Sequence, residues 1–271
     1  MERQTPIGNL LPDLRRMQIG GRGKRPTLRT VNAVLVALKS GRCIQGNFNR
    51  RQAPDVSTLK IVVPESRLLL VTIPKAGTKS VEKLFPQTAH PNRQYVNRRI
   101  ALSRLVAENV EYGSYFKASF VRNPWDRVAS CYLNKVAGKP HMANLAILSR
   151  YSGLWFGMPF EAFVEWLVSP AGSDACADRH WISQYRILSD SDADPEYDFI
   201  GRFEKIREDW ARLCDTLDLP VWVRALPHSN KSAGLSSYAS LFNKRTARMV
   251  RERYERDIDL FEYRFGAESR G

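Results

Sequence analysis

Two segments about forty residues apart constrain this chain more than any other feature. The first is Leu68-Leu69-Leu70-Val71-Thr72-Ile73-Pro74-Lys75-Ala76-Gly77-Thr78-Lys79-Ser80. The second is Ala118-Ser119-Phe120-Val121-Arg122-Asn123-Pro124-Trp125-Asp126-Arg127-Val128-Ala129-Ser130. Each is a short apolar run that ends at a basic residue and turns into a helical pattern. Two strand–turn–helix units of this kind predict two anion sites on one sheet edge, bridged by a ligand with two separated phosphate-type groups.

The rest of the chain alternates in the same way. Apolar spacing predicts a strand at 66–73 and a helix at 77–85, a helix over 97–110, a strand at 116–121 and a helix over 124–137. In the last of these, Trp125, Val128, Ala129, Tyr132 and Val136 recur at three- and four-residue spacing, and Pro124 takes a first-turn position. Further helices are marked by Phe160, Phe163, Val164 and Leu167, by Ile206, Trp210, Leu213 and Leu217, and by Val250, Tyr254, Ile258 and Phe261 behind an Asn243 cap. Tyr197 to Gly201 reads as a short strand. Strand–helix alternation argues for an α/β fold with an open, mostly parallel sheet and helices on both faces. Ligands of such sheets bind at the carboxyl ends of the strands, where both basic turns fall.

The 271 residues carry a formal charge of +14, which favours anionic partners. Much of the excess lies in residues 1–51, where eleven Lys/Arg face only Glu2 and Asp13. Residues 1–60 are therefore read as a basic, partly flexible arm, with a short helix at 30–39, and 61–271 as one domain. The four cysteines, Cys43, Cys131, Cys176 and Cys214, form no CxxC pair, and the histidines show no metal-ligand spacing. No apolar run approaches the roughly twenty residues of a membrane helix, and no signal-peptide core is visible. The expectation is a cytoplasmic protein without a bound metal.

The loop from Pro74 to Ser80 has the makings of a phosphate cradle. Small residues let the backbone curl, and the N–H groups opening a helix favour negative charge. It departs from the nucleoside-triphosphate loop, since Ile73 and Thr78 stand where G-x-x-x-x-G-K-[ST] requires glycine, which counts against a kinase or ATPase. At the second turn, Arg122 offers a planar fork for an oxyanion and Ser130 a hydroxyl. Equally, Arg122 pairs with Asp126 and Ser130 is a helix-surface residue. The aromatic run Trp155, Phe156, Phe160, Phe163 and Trp166 reads as core rather than a sugar-stacking surface. Asp190, Asp192 and Asp194 lack the glycine and distal glutamate of a calcium loop.

Taken together, the two segments resemble the nucleotide-binding signatures of sulfotransferases that use 3′-phosphoadenosine 5′-phosphosulfate (PAPS), and are most similar to the carbohydrate sulfotransferase, or family 2, type. The 3′-phosphate pattern R-D-P-x-x-R-x-x-S is matched by Arg122, Pro124, Arg127 and Ser130, with Asn123 in place of the aspartate. Arg179 to Gln184, Tyr197 to Trp210, Leu226 to Ser232 and Tyr254 to Tyr263 extend the likeness.

The resemblance implies a P-loop-like three-layer α/β/α fold and metal-independent, in-line sulfuryl transfer from PAPS to a hydroxyl of a glycan or glycolipid. Lys75, with Ala76, Gly77, Thr78, Lys79 and Ser80, would hold the 5′-phosphosulfate, and Lys75 would meet the charge developing on the leaving phosphate. Arg122 and Ser130 would hold the 3′-phosphate, with Lys231 and Ser232 closing over it. The base is left open among His90, His180 and Glu108, with His141 and His228 less suited. A P-loop kinase-like phosphotransferase and a non-catalytic polyanion-binding protein are the competing readings. No nucleic-acid partner is expected. Peripheral membrane contact, the acceptor's identity and the oligomeric state stay unread.

Overall fold

A computed structural model describes residues 53–86, 95–138, 141–227 and 238–266. These fall into two compact units: 141–156 belong to one, and the other described residues to the second. The first unit shows helix α4 (Met142–Leu148), whose start is capped by the His141 ring accepting from the Ala143 N–H at 3.2 Å. The sheet and the candidate site belong to the second unit.

Its centre is a five-stranded sheet in the order β3-β1-β2-β4-β5. The strands are β1 (Thr58–Val63), β2 (Leu68–Val71), β3 (Val96–Ile100), β4 (Phe116–Val121) and β5 (Phe199–Arg202). β2, β4 and β5 pair in parallel, whereas β1 pairs antiparallel with both β2 and β3. The α/β class therefore holds, and the sheet is mixed rather than mostly parallel. The reversal comes from the tight β1–β2 connection, a single 3₁₀ turn at Pro64–Ser66 closed by Arg67 in the left-handed region at φ 46°. A turn this short can join only antiparallel neighbours.

Two strands escape the sequence reading. β1 reads TLKIVV and is buried throughout, including Lys60, whose ammonium donates to the Thr58 hydroxyl at 2.8 Å. β3 falls in the stretch expected to be helical, and the helix there, α2 (Leu102–Glu108), begins only after it. The free edge of β1 decides the matter: pairing Val96 to Ile100 against Val62 to Thr58 satisfies a row of backbone groups that a helix would leave open. Arg98 and Arg99 are exposed on this edge strand, where charge discourages further strand addition. They pair with Glu108 and Glu82.

Alternate residues of the central strands, Leu59, Ile61 and Val63, Leu68 and Leu70, Ala118 and Phe120, share one face. They build a core with α1 (Thr78–Leu84), α7 (Ile206–Thr216) and α8 (Val221–Arg224). Leu69, Val71 and Val121, on the opposite face, are buried as well. α3 (Pro124–Cys131) runs on into a π-helical stretch, Tyr132–Val136, and its expected apolar stripe is buried. α5 (Phe160–Val168) packs on α9 (Lys244–Arg253), which opens with a reciprocal Asn243–Thr246 capping box. Phe163 and Trp166 are core residues, as the aromatic pattern predicted, whereas Trp155 is 45% exposed. α6 (Gln184–Ser189) and α10 (Glu255–Leu260) complete the frame of the site. Among the described residues no helix is long and apolar enough to cross a membrane.

Candidate active site

The loop after β2 is held in a curled shape by its own backbone. Lys75 and Gly77 both adopt left-handed conformations, at φ 74° and φ 84°. Glycine suits position 77 for a second reason: a Cβ there would lie 2.5 Å from the Ile206 side chain. The Ala76 N–H closes a turn on the Ile73 carbonyl at 3.0 Å, and the Ser80 and Val81 N–H groups bond the Gly77 carbonyl. The Thr78 hydroxyl donates to the Ile73 carbonyl at 2.8 Å, stitching the helix start to the strand end. The first N–H groups of α1 have no acceptor within the helix. Burial, together with the neighbouring cations Arg122, Lys135 and Lys79, pushes the Lys75 ammonium down to about 8.

Arg122 at the end of β4 is held from three sides. Its Nε and Nη2 donate to the two oxygens of Asp126 at 2.8 and 2.9 Å, and Nη1 donates to the Lys75 carbonyl at 2.7 Å. The guanidinium lies 4.3 Å from the centre of the Phe203 ring. Three of the five N–H bonds of a guanidinium are thus engaged, and two remain for a ligand. The Asp126 pairing and a role toward an oxyanion are therefore compatible. The Gln184 amide fixes the backbone at this point, accepting from the Arg122 N–H at 2.9 Å and donating to its carbonyl at 2.8 Å. The Gln184 and Tyr185 N–H groups donate to the buried Asp257 carboxyl, which burial pushes up to about 6.

Arg127 works differently from Arg122. It is buried and donates to the carbonyls of Pro74, Arg179 and Ile182, tying the first loop to the segment that carries His180. Asn123 caps α3, accepting from the Trp125 N–H at 3.1 Å, and its NH₂ donates to the Arg264 carbonyl at 3.0 Å. An aspartate could make the first bond but would set a charged oxygen against that carbonyl, which accounts for the departure from the family pattern.

A cavity of about 600 Å³ joins these parts. Lys75, Gly77, Thr78, Lys79 and Ser80 line it from the first loop, Arg122 and Ser130 from the second, and His180 from the far side. Ala76 is buried within the loop and does not line it. His90, Lys231, Ser232 and His228 lie outside the described residues. Glu108 is not part of the lining; it pairs with Arg98 and Arg104, which hold its carboxyl below the usual range. His141 is the cap of α4 in the other unit.

His180 has the environment of a base. Its Nδ1 meets Asp178, whose carboxylate also accepts from the His180 backbone N–H at 3.0 Å. Burial lowers the His180 pKa, outweighing the pull of Asp178 in the other direction. Burial pushes Asp178 up, but the bonds from His180 and the charge of Arg179 bring it below the usual range. An ionised carboxylate only accepts, so the neutral imidazole donates from Nδ1, and Nε2 carries the lone pair. The lining also includes Glu82, Arg99, Asn134 and Lys135, which the sequence reading did not single out, and Arg179 and Phe203, which it had only within longer segments of likeness. Arg99 was hidden by the missed strand β3. Lys135 was hidden by the assumption of a regular helix beyond Ser130.

The sulfotransferase family model matches residues 60–264. Carbohydrate sulfotransferase 10 of Xenopus laevis is 25% identical over 75% of this chain and 66% of its own length. Carbohydrate sulfotransferase 8 of Mus musculus is 29% identical over 61% of this chain and 45% of its own. Carbohydrate sulfotransferase 14 of Homo sapiens is 28% identical over 48% and 35%. The chain thus spans from about a third to two thirds of the length of these curated relatives. No solved structure matches it. With the family's range reaching from β1 past α10, and both basic turns inside it, this chain belongs to the sulfotransferase family, in its family 2 type.

Proposed function

We propose that the cavity binds PAPS and transfers its sulfuryl group to a hydroxyl of a carbohydrate, free or lipid-linked, without a metal ion, on a P-loop-like three-layer scaffold. The observation that carries this reading is the convergence of the Lys75 loop, the Arg122 fork and a carboxylate-held imidazole on one cavity. Lys75 meets the leaving 5′-phosphate as charge develops on it, and the N–H groups of residues 77–79 with the Ser80 hydroxyl hold that phosphate. Arg122 and Ser130 take the 3′-phosphate, and the resemblance assigns Lys231 and Ser232, outside the described residues, to the same phosphate. His180 Nε2 accepts the acceptor proton. His90 is the remaining candidate for that task, and Glu108 is set aside by its two arginine partners.

In the step, the acceptor oxygen's lone pair forms the new S–O bond. The S–O bond to the phosphate breaks, its electron pair leaves with 3′-phosphoadenosine 5′-phosphate (PAP), and the acceptor proton passes to the imidazole. The cations of the lining supply the charge stabilisation that magnesium supplies in phosphoryl transfer. Transfer of label from radioactive PAPS to a panel of neutral and acidic oligosaccharides, with a chelator present, tests the reading. Labelled product with the wild type, and at least a hundredfold less with a folded Lys75→Ala protein, is the expected result. Magnesium-dependent transfer from ATP instead would favour the phosphotransferase. Salt-sensitive glycan binding with no turnover and no response to Lys75→Ala would favour the polyanion-binding protein.

A further inference from the structure

Within the donor reading above, one lysine has no assigned task although its position sets it apart. Lys135 lies in the π-helical stretch after α3 and lines the same cavity as Lys75 and His180. In an unbroken α-helix, a residue five positions after Ser130 sits about 140° around the axis from it and would face away. Here the turn closes from the Ala137 N–H to the Tyr132 carbonyl at 2.9 Å, an i→i+5 bond that widens the helix. Ser130, Leu133 and Asn134 share a helix face at three- and four-residue spacing, and Lys135 lines the same cavity beside them. Single π turns inside α-helices are frequent at functional sites.

Lys135 is near enough to both Lys75 and His180 for its charge to act on each. Burial is the main cause that lowers both Lys75, on the donor side, and His180, on the acceptor side, and the charge of Lys135 adds to it in each case. Burial in turn lowers Lys135 itself, while Cys131 and Asp178 raise it. A cation sharing a half-buried site with Lys75 and His180 suits a ligand whose negative charge lies between leaving phosphate and acceptor oxygen. In PAPS chemistry that group is the sulfonate.

We propose that Lys135 is a further catalytic residue, binding the sulfonate oxygens of PAPS and following them as the sulfuryl group moves from phosphate to acceptor. Arg122 and the N–H groups of the first loop bind what PAP and PAPS share. Lys135 binds only what PAPS has in addition.

The test compares PAP and PAPS binding to the full chain by calorimetry, without acceptor, for wild type, Lys135→Met, Lys135→Arg and Arg122→Ala. The expected result for Lys135→Met is PAP affinity within about twofold of wild type and PAPS affinity about tenfold weaker, the loss of one charge-assisted bond. Lys135→Arg should recover part of the PAPS preference, and Arg122→Ala should weaken both ligands alike. An unchanged ratio of PAPS to PAP affinity in Lys135→Met, or equal weakening of both, overturns the assignment. Retained PAP binding shows that the variant is folded. If the wild type binds neither nucleotide, the donor reading falls, and the role of Lys135 with it.

Discussion

Lys75 is the residue whose chemistry is most exposed to test. The native fold holds its ammonium at about 8, against an ordinary 10.5. Between these values the unfolded chain binds more protons than the native one, so Lys75 adds stability as pH rises through that window. A bound phosphate reverses the imbalance by raising the ammonium back toward its ordinary value. Binding of PAP near pH 8 should therefore take up protons, seen as a dependence of binding heat on the buffer's ionisation enthalpy. Lys75→Met should abolish that uptake, and a proton-neutral wild type at this pH would contradict the account. Sequence alone marks Lys75, Arg122 and Ser130, because short strand–turn–helix patterns place them. It does not show that Asp178 fixes the His180 tautomer, since that pair depends on burial and on the turn around Arg127.

At the scale of elements, the two basic turns were legible because each is local: an apolar run, a break and an amphipathic helix in sequence. β4 spans Phe116–Val121, the range its pattern predicts. β3 was not legible, because an edge strand carrying arginines has no apolar alternation, and its partner β1 decides its state. The π stretch was equally hidden, since periodicity at three and four residues continues through it. The loop–helix joint at Gly77 makes a sharper prediction. A Gly77→Ala chain meets both a left-handed backbone and the Ile206 side chain, and should lose about 1–3 kcal/mol in urea unfolding. It should also weaken PAP binding through the shifted helix start. An Ala variant as stable as wild type would mean that the loop does not need its curled shape.

For the whole molecule, the sheet order brings the carboxyl ends of β2 and β4 side by side, so two turns distant in sequence serve one cavity. Gln184 and Asp257 brace that edge from the C-terminal half, and Arg127 joins it to the His180 segment. Such long-range ties explain why the site's outline was readable and its bracing was not: each bracing residue is an ordinary polar residue until the fold surrounds it. The formal charge of +14 favours anionic partners, and Lys75, Lys79, Arg122, Lys135 and Arg179 gather cations at one cavity.

The most direct test of the central claim is calorimetric titration of PAP into the full chain without magnesium, beside ATP and beside Arg122→Ala. The account predicts tight PAP binding, much weaker ATP binding, and a loss of at least tenfold in PAP affinity when the Arg122 fork is removed. PAP binding no tighter than ATP, or unchanged in Arg122→Ala, would contradict the claim that these two turns form one bisphosphate site.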